Sequence, residues 1–294
     1  MKRTVIFIAF LLITSTACAG SDSDKKGKED VELTSYFGEQ PPGLTPKIFE
    51  PAMLSPDGLF EGGSFTPDMQ HFYFTRKNGK YKQRTFFVIQ QQNGRWGQET
   101  ETDIKWPQFS ADGKVMYIGK GYRERTKTGW SALKSPGDFI NKMAHGRSVS
   151  ANGTYYYTVY ENADIGEMYF ARLKGGEYAS AVKMSHDINT GEFIAHPYIA
   201  PDESYLIWDV RREGGYGQAD LYISFRNQQG QWSPAINMGP SINTAMQESA
   251  PQVTHDGKYL FFTRGEWLTN QDGSQNYVGK RYWVDAQVIE KLKP

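Results

Sequence analysis

The sequence contains little that would stabilise a fold covalently or attract a strongly charged partner. Only one of its 294 residues is cysteine, and its 33 basic residues are matched by 33 acidic ones. A single cysteine cannot form a disulfide within the chain, so a folded domain must depend on the burial of apolar side chains. The even charge balance argues against a nucleic-acid partner, because such proteins concentrate basic residues on one surface.

Long apolar runs are also rare. The run at 5–13 follows Lys2 and Arg3 and is too short to span a bilayer permanently. Its basic start, apolar centre and small-residue end predict a secretory signal peptide over residues 1–17. Removal of this segment takes away Lys2 and Arg3 but no acid, which leaves 31 basic and 33 acidic residues and a net charge of −2.

The cysteine, Cys18, directly follows this segment. Together with the preceding residues it resembles the lipoprotein box of bacteria, which implies cleavage before Cys18 and lipidation of its thiol. Leucine is usual in that box where Ser15 stands here. Ser15 and Ala17 also satisfy the small-x-small rule of ordinary signal cleavage, and this alternative stays open.

Residues 18–35 are almost entirely polar and predict a flexible tether between the lipidated cysteine and a folded domain over 36–294. Ala19 stands where the lipoproteins retained in the inner membrane of enteric bacteria carry aspartate. The same resemblance therefore favours the outer membrane.

A short phrase returns five times along the domain: an apolar residue, a small or hydroxylated one, any residue, an acid or amide, and then an aromatic strand. The acid or amide positions lie 40 to 54 residues apart, at Asp68, Asp112, Asn152, Asp202 and Asp256. An aspartate followed by glycine between two β runs, as at Asp256, is a typical hairpin turn, so we interpret these residues as turn formers rather than catalytic acids. A period of this length predicts a radial array of β-sheets.

Most repeats also have signals for a third and a fourth strand, as at 83–98, 167–181 and 219–235, whereas the second repeat offers only 129–139 in their place. The last repeat ends after its third strand, and 41–54 looks like an isolated fourth one. We therefore predict an all-β protein, a single β-propeller of four-stranded antiparallel blades closed by an N-terminal strand. It has five blades, or six if the phrase LSPDG at 54–58 is a blade turn rather than a loop.

The repeated phrase, which contains Pro-Asp at 67–68 and 201–202 and is followed by an aromatic strand, resembles the WD-repeat-like propeller repeat of TolB-type periplasmic proteins. The resemblance covers nearly all of 36–294. The resemblance implies a propeller, but no single activity, because this repeat occurs in partner-binding proteins, in lyase-type carbohydrate enzymes and as a gating domain of serine peptidases. A serine peptidase is set aside because the sequence has no G-x-S-x-G motif.

Residues that enter the first strand of each blade are expected to surround the central channel. Comparable positions, five to eight residues before each turn acid, carry charged, aromatic and imidazole side chains, a mixture typical of a small-ligand site. The predicted ligand-binding set is Glu61, Lys105, Trp106, His145, Arg147, His196 and Glu248.

His145 and His196 are also candidates for a divalent-metal site or a general base, since neutral imidazole serves both roles. The alternative is that each one hydrogen-bonds a neighbouring blade. The His196-Pro197 pair resembles oligogalacturonate lyases, which bind a divalent metal through several histidines and a glutamine. This chain has too few histidines in suitable positions, and Gln108 and Gln252 are the available substitutes.

Two loops, at 188–197 and 242–251, both begin with Ile-Asn-Thr and predict blade-to-blade crossovers. Asn189 and Asn243 are interpreted as structural residues that bond the backbone. Outside these loops, Trp267 and Tyr122 are the candidates for stacking against a sugar.

These observations favour a lipid-anchored binding or protein-interaction module of the bacterial cell envelope. It would be a monomer, attached to the membrane through Cys18, with an envelope protein or an oligosaccharide as ligand and no nucleic-acid partner. The alternative is a carbohydrate-active enzyme, a lyase or glycoside hydrolase, with its site in the central funnel. The sequence identifies no catalytic residue and no cofactor beyond the candidate metal.

Overall fold

The computed structural model describes residues 35–54, 60–143, 145–161 and 165–294. The predicted signal peptide, Cys18, nearly all of the tether and most of the LSPDG phrase lie outside these residues. Within them, no helix is both long and apolar enough to cross a membrane.

Five antiparallel sheets of four main strands form the blades of a β-propeller, and helix is almost absent. The N-terminal strand is β1 (Lys47–Ile48). Blade 1 contains β2 (Phe60–Phe65), β3 (His71–Asn78), β4 (Tyr81–Gln92), the short β5 (Arg95–Trp96) and β6 (Thr100–Glu101). Blade 2 contains β7 (Gln108–Phe109), β8 (Val115–Ile118), β9 (Gly121–Thr126) and β10 (Gly129–Trp130).

The remaining blades follow the same order. Blade 3 contains β11 (Arg147–Val149), β12 (Tyr155–Tyr160), β13 (Gly166–Ala171), the hairpin of β14 (Leu173–Lys174) and β15 (Glu177–Tyr178), and β16 (Val182–Lys183). Blade 4 contains β17 (Glu192–Ile199), β18 (Tyr205–Arg211), β19 (Asp220–Phe225) and β20 (Ile236–Asn237). Blade 5 contains β21 (Gln247–Val253), β22 (Tyr259–Thr269) and β23 (Gln275–Asp285). The helical segments are a 3-10 turn at Asp138–Lys142 and α1 (Gln287–Glu290).

The N-terminal strand completes blade 5 and closes the ring, as predicted. Lys47 of β1 pairs with Trp283 of β23, and the Phe49 N–H donates to the Arg281 carbonyl at 2.8 Å. The Phe49 ring is buried against Phe261, with ring centres 4.9 Å apart. Since a buried Phe contributes about 1.5–3 kcal/mol, this contact helps to join the two ends of the chain. The open choice between five and six blades is therefore resolved as five.

The repeated phrase forms the turn between the first and second strands of each blade. In every turn the side-chain oxygen of the acid or amide accepts a hydrogen bond from the backbone N–H two residues later, at 2.9–3.2 Å. In four of the five turns it also accepts from the hydroxyl two residues earlier, namely Thr66, Ser110, Ser150 or Thr254. These bonds confirm that the repeated acids are turn formers.

The turn at Asp112 leads to a pH-dependent prediction. The hydrogen bond from the Ser110 hydroxyl, followed by those from Lys114, lowers the pKa of Asp112 to about 2. A carboxyl whose pKa is lowered by folding stabilises the fold above its unfolded pKa, and this stabilisation is lost as the pH falls towards 2. Asp112→Asn keeps the accepting oxygen, as Asn152 does in blade 3, but cannot titrate. We expect a loss of about 1 kcal/mol or less at pH 7, because the site is exposed, and a smaller loss at pH 3.

Urea unfolding of the wild type and of Asp112→Asn at both pH values measures this difference. A destabilisation that is equally large at pH 3 and at pH 7 would contradict the assignment. Asn152→Asp is the reciprocal control, and its stability relative to the wild type should fall as the pH is lowered.

The two Ile-Asn-Thr loops connect neighbouring blades, and their asparagines bond to the backbone as expected. The Asn243 Oδ1 atom accepts from the Leu221 N–H at 2.9 Å, and Nδ2 donates to the Leu221 carbonyl at 3.0 Å. Asn189 makes the same pair of contacts with Met168, at 2.6 and 3.1 Å. Each amide thus takes the place of a neighbouring strand beside the third strand of the preceding blade.

Candidate functional site

One residue within or just before each first strand has a left-handed backbone conformation, six residues before the turn acid or amide. These residues are Gly62 (φ 141°), Trp106 (φ 43°), Gly146 (φ 79°), His196 (φ 43°) and Ala250 (φ 52°). In blades 1, 4 and 5 the pairing register shifts at this place, which is typical of a β-bulge. A non-glycine residue is strained in this conformation, and such strain is found at functional sites more often than elsewhere.

His145 and His196 meet at the interface of blades 3 and 4. Their ring centres are 6.1 Å apart, and the His196 N–H donates to the His145 carbonyl at 3.1 Å. Tyr160 packs against His145, with ring centres 4.7 Å apart. A Cβ atom on Gly146 would lie 2.8 Å from the His196 Cα, so the close approach of the two blades requires glycine there.

Asp209, which the sequence analysis did not single out, holds the His196 ring. The His196 Nδ1 atom lies 3.0 and 3.1 Å from its carboxylate oxygens, and Oδ1 also accepts from the Ala250 N–H at 3.0 Å. Burial opposes the charged form of His196, but the charge and hydrogen bond of Asp209 outweigh it and raise the pKa of His196. Burial and the nearby His196 lower the pKa of His145. The sequence does contain a signal for Asp209, because it is an acid within the otherwise apolar run YLIWDV.

Arg281 extends this chain of contacts into blade 5. Its Nη1 atom donates to the Ala250 carbonyl at 2.8 Å, so the backbone of Ala250 connects Asp209 with Arg281. Its Cδ atom lies 3.4 Å from the place of a Cβ on Gly62, so the side chain also reaches the first strand of blade 1. Burial lowers the pKa of Arg281 to about 10, which leaves it charged at neutral pH. We call this group the rim cluster; its members are His145, Tyr160, His196, Asp209 and Arg281.

Two of the predicted ligand-binding residues have other contacts. Arg147 is 8% exposed, and its Nη1 atom donates to the Gly119 carbonyl at 2.9 Å. Glu248 is fully buried, and its Oε1 atom accepts from the Arg264 Nε and the Thr244 hydroxyl, both at 2.7 Å. Both side chains are therefore engaged in internal contacts, and neither joins the two histidines as an accessible ligand-binding group.

Glu61, Lys105 and Trp106 form a separate group between blades 1 and 2. The Arg84 Nε atom donates to a Glu61 carboxylate oxygen at 2.6 Å, and its guanidinium lies 5.5 Å from the Trp106 ring centre. Phe86 packs edge-on against Trp106 at 4.8 Å, and the Lys105 ammonium lies 5.6 Å from the Phe86 ring centre. The indole remains 58% exposed, so the group offers an aromatic surface flanked by cations.

Among the described residues, the two histidines have no third metal ligand beside them. A protein metal site needs three or more ligands, and the 35–54, 60–143, 145–161 and 165–294 ranges contain no group of three His, Cys, Asp or Glu side chains placed to hold one. One ring nitrogen of His196 is already bonded to Asp209. The residues present therefore do not fit the divalent metal considered from the sequence.

A long hairpin of blade 5 carries another exposed aromatic residue. Trp267 is 49% exposed, packs against Tyr277 at 5.4 Å, and donates from Nε1 to the Gln247 side chain at 3.1 Å. Because adjacent strands are antiparallel, the hairpin between the second and third strands lies where the first strand begins. We call this side of the propeller the entry face; it carries Trp106, Trp267 and the rim cluster. Tyr122 is only partly exposed.

Comparisons with known proteins reach only the level of the fold. No family model and no curated protein matches the chain. TolB from Acinetobacter baumannii is similar at 16% identity and a TM-score of 0.47, covering 76% of this chain and 53% of its own. The tricorn protease is similar at 13% identity and a TM-score of 0.48, covering 80% and 26%.

A third similar structure is the catalytic domain of the Coprinopsis cinerea GH62 α-L-arabinofuranosidase, at 11% identity and a TM-score of 0.46, covering 82% of this chain and 94% of its own. The chain thus spans about half the length of TolB and a quarter of the tricorn protease. The fold assignment follows from the five sheets themselves. By these sheets the chain is a five-bladed β-propeller, and TolB is among the solved structures to which it is similar.

Proposed function

We propose that this protein is a lipid-anchored binding module of the bacterial outer membrane, which recognises an envelope protein through its entry face. The observation that carries the proposal is that two acidic side chains near that face are buried and paired, whereas tryptophan side chains there are exposed. The buried carboxylates are engaged in internal contacts, Asp209 with His196 and Glu248 with Arg264. The groups left accessible include Trp106 and Trp267, and exposed tryptophans are enriched at protein-binding hot spots.

A second candidate function, a carbohydrate-active enzyme, is favoured by one contact. Asp209 orients the His196 ring and raises its pKa, which is what a carboxylate does for a histidine that acts as a general base. In the described part of the chain no second carboxylate bonds to this pair, and His145 contacts His196 only through its ring and its backbone carbonyl. The binding role therefore takes precedence.

Site-specific photo-crosslinking in living cells tests the binding role. The full-length chain would carry p-benzoylphenylalanine in place of Trp106, of Trp267 or of Leu173. Leu173 is 41% exposed and lies beside the Gly153 turn, at the end of the blade opposite to the entry face. We expect one envelope protein to be crosslinked from positions 106 and 267 and not from position 173, which is the matched control.

The same cells test the anchor. Cys18→Ser removes the thiol that would be lipidated, so we expect the protein to move from the membrane fraction to the soluble fraction. Identical crosslinks from all three positions, or none, would contradict the entry face as the binding surface. Cleavage of oligogalacturonides or neutral oligosaccharides that is abolished by His196→Gln would establish the enzyme in its place.

A further inference from the structure

Arg281 is a buried cation without a carboxylate partner in the described part of the chain. Three other arginines with little exposed side-chain surface, Arg76, Arg226 and Arg264, each form an ion pair with a glutamate. Arg281 is 7% exposed, and its Nη1 atom donates to the Ala250 carbonyl and, at 3.4 Å, to the Thr263 hydroxyl. Its buried Nε atom has no hydrogen-bond partner among the described residues.

The position of Arg281 differs from that of Arg147, the other unpaired arginine that is more than nine-tenths buried. Arg147 lies among the interior rings of Tyr117 and Tyr155 and bonds to a blade 2 carbonyl. Arg281 extends from the third strand of blade 5 across the second strand to Ala250 and Gly62. These two residues occupy equivalent places on the first strands of blades 5 and 1, which surround the channel.

A buried guanidinium is costly unless hydrogen bonds and an opposite charge compensate it. Asp209 is the nearest acid along the chain of contacts, but its carboxylate already bonds to His196 and to the Ala250 N–H. Burial lowers the pKa of Arg281, and none of the described acids forms an ion pair with it. The guanidinium that packs against the first strands of blades 5 and 1 is therefore charged at neutral pH, and its buried Nε–H donor is unused.

We propose that Arg281 is the core of a carboxylate-binding site in the channel wall beside His196. The planar guanidinium fork matches the two oxygens of a carboxylate, and such charge-assisted pairs are among the strongest hydrogen bonds in proteins. The proposal rests on the binding role proposed above and adds the chemical class of its ligand, one that carries a carboxylate.

Calorimetric titration of the full chain tests the site with three probes. Sodium galacturonate offers a sugar carboxylate, N-acetylglycine offers a peptide carboxylate, and galactose is the neutral control. We expect saturable binding of at least one carboxylate and none of galactose, and the stronger carboxylate distinguishes a sugar from a peptide source. Arg281→Lys keeps the charge but removes the fork, so it should weaken binding about tenfold or more. Arg147→Lys, the matched control, should leave the Kd within about twofold, because the Arg147 guanidinium is held between blades 3 and 2, where it donates to the Gly119 carbonyl.

A wild-type measurement covers the case in which Arg281→Lys does not fold. The Arg281 Nε–H resonance should shift on addition of the bound carboxylate and not on addition of galactose. Absence of saturable binding by both carboxylates, or equal binding by wild type and Arg281→Lys, would overturn the site. Crosslinks from positions 106 and 267 without carboxylate binding would remove only this inference, whereas carboxylate binding without those crosslinks would support it and remove the protein-binding role.

Discussion

Glu248→Ala is expected to lower the free energy of unfolding by about 3–5 kcal/mol, the usual cost of removing one partner of a buried ion pair. The fully buried carboxylate receives hydrogen bonds from the Arg264 Nε at 2.7 Å, the Thr244 N–H at 2.9 Å and the Thr244 hydroxyl at 2.7 Å. Alanine would leave the Arg264 guanidinium, whose side chain is 15% exposed, without its counter-charge. Urea unfolding at pH 7 measures the change.

The neighbouring blade provides a matched control for this variant. Glu192 also lies opposite an arginine of the second strand, Arg211, but their side chains are about half exposed and the atoms are 3.5 Å apart. Glu192→Ala should therefore change the stability by about 0.5 kcal/mol or less. The double variant Glu248→Leu/Arg264→Leu should recover part of the loss, because it leaves no unpaired charge. Equal effects of Glu192→Ala and Glu248→Ala would show that burial does not determine the strength of this pair.

Asn243→Ala is expected to destabilise the propeller by about 2–4 kcal/mol, because it leaves buried polar groups without partners. The amide is 1% exposed and bonds to the Leu221 N–H, the Leu221 carbonyl and, at 2.7 Å, the Asn237 side chain. The Leu221 carbonyl also accepts from the Met238 N–H at 3.0 Å, so the main loss falls on the Leu221 N–H. Urea unfolding gives the magnitude, and faster hydrogen exchange of the Leu221 amide identifies the site.

Two variants separate this explanation from a general loss of packing. Asn243→Asp keeps nearly the same volume and still accepts from the Leu221 N–H, but it places an oxygen against the Leu221 carbonyl. It should therefore be destabilised while its Leu221 amide stays protected. Asn189→Ala removes the same contacts from a partly exposed position and should cost less. Unchanged protection of Leu221 in Asn243→Ala would contradict the assigned role.

The repeat was readable from sequence because each of its features has a local cause. At 254–258, for example, the Thr254 hydroxyl and the Lys258 N–H both donate to the Asp256 carboxylate within a single turn. The crossover asparagines were readable for a related reason, since a loop repeated in two blades indicates the same contact twice. The spacing of the phrases then predicted the ring, and the missing fourth strand of the last repeat predicted its closure by the N-terminal strand.

The rim cluster was only partly readable. Counting back from the turn acids singled out His196, but nothing local indicated its left-handed conformation. Asp209 and Arg281 lie on second and third strands and reach the channel across a blade, so their contacts involve residues from 13 to 41 positions away. Glu248 stands at the distance from its turn acid that predicts a residue facing the channel. Its side chain is instead buried and bonded to Arg264 of the adjacent strand.

By itself, the sequence determined the all-β propeller, its repeat and the identity of its turn residues, because hydrogen bonds over a few residues encode them. The signal peptide and the lipidation of Cys18 stay predictions from the sequence. Only the tertiary structure decided which side chains near the channel are free and which are engaged. Burial and ion pairing depend on strands that are distant in sequence, as when Glu248 pairs with Arg264 while Arg281, one strand away, keeps its charge unpaired.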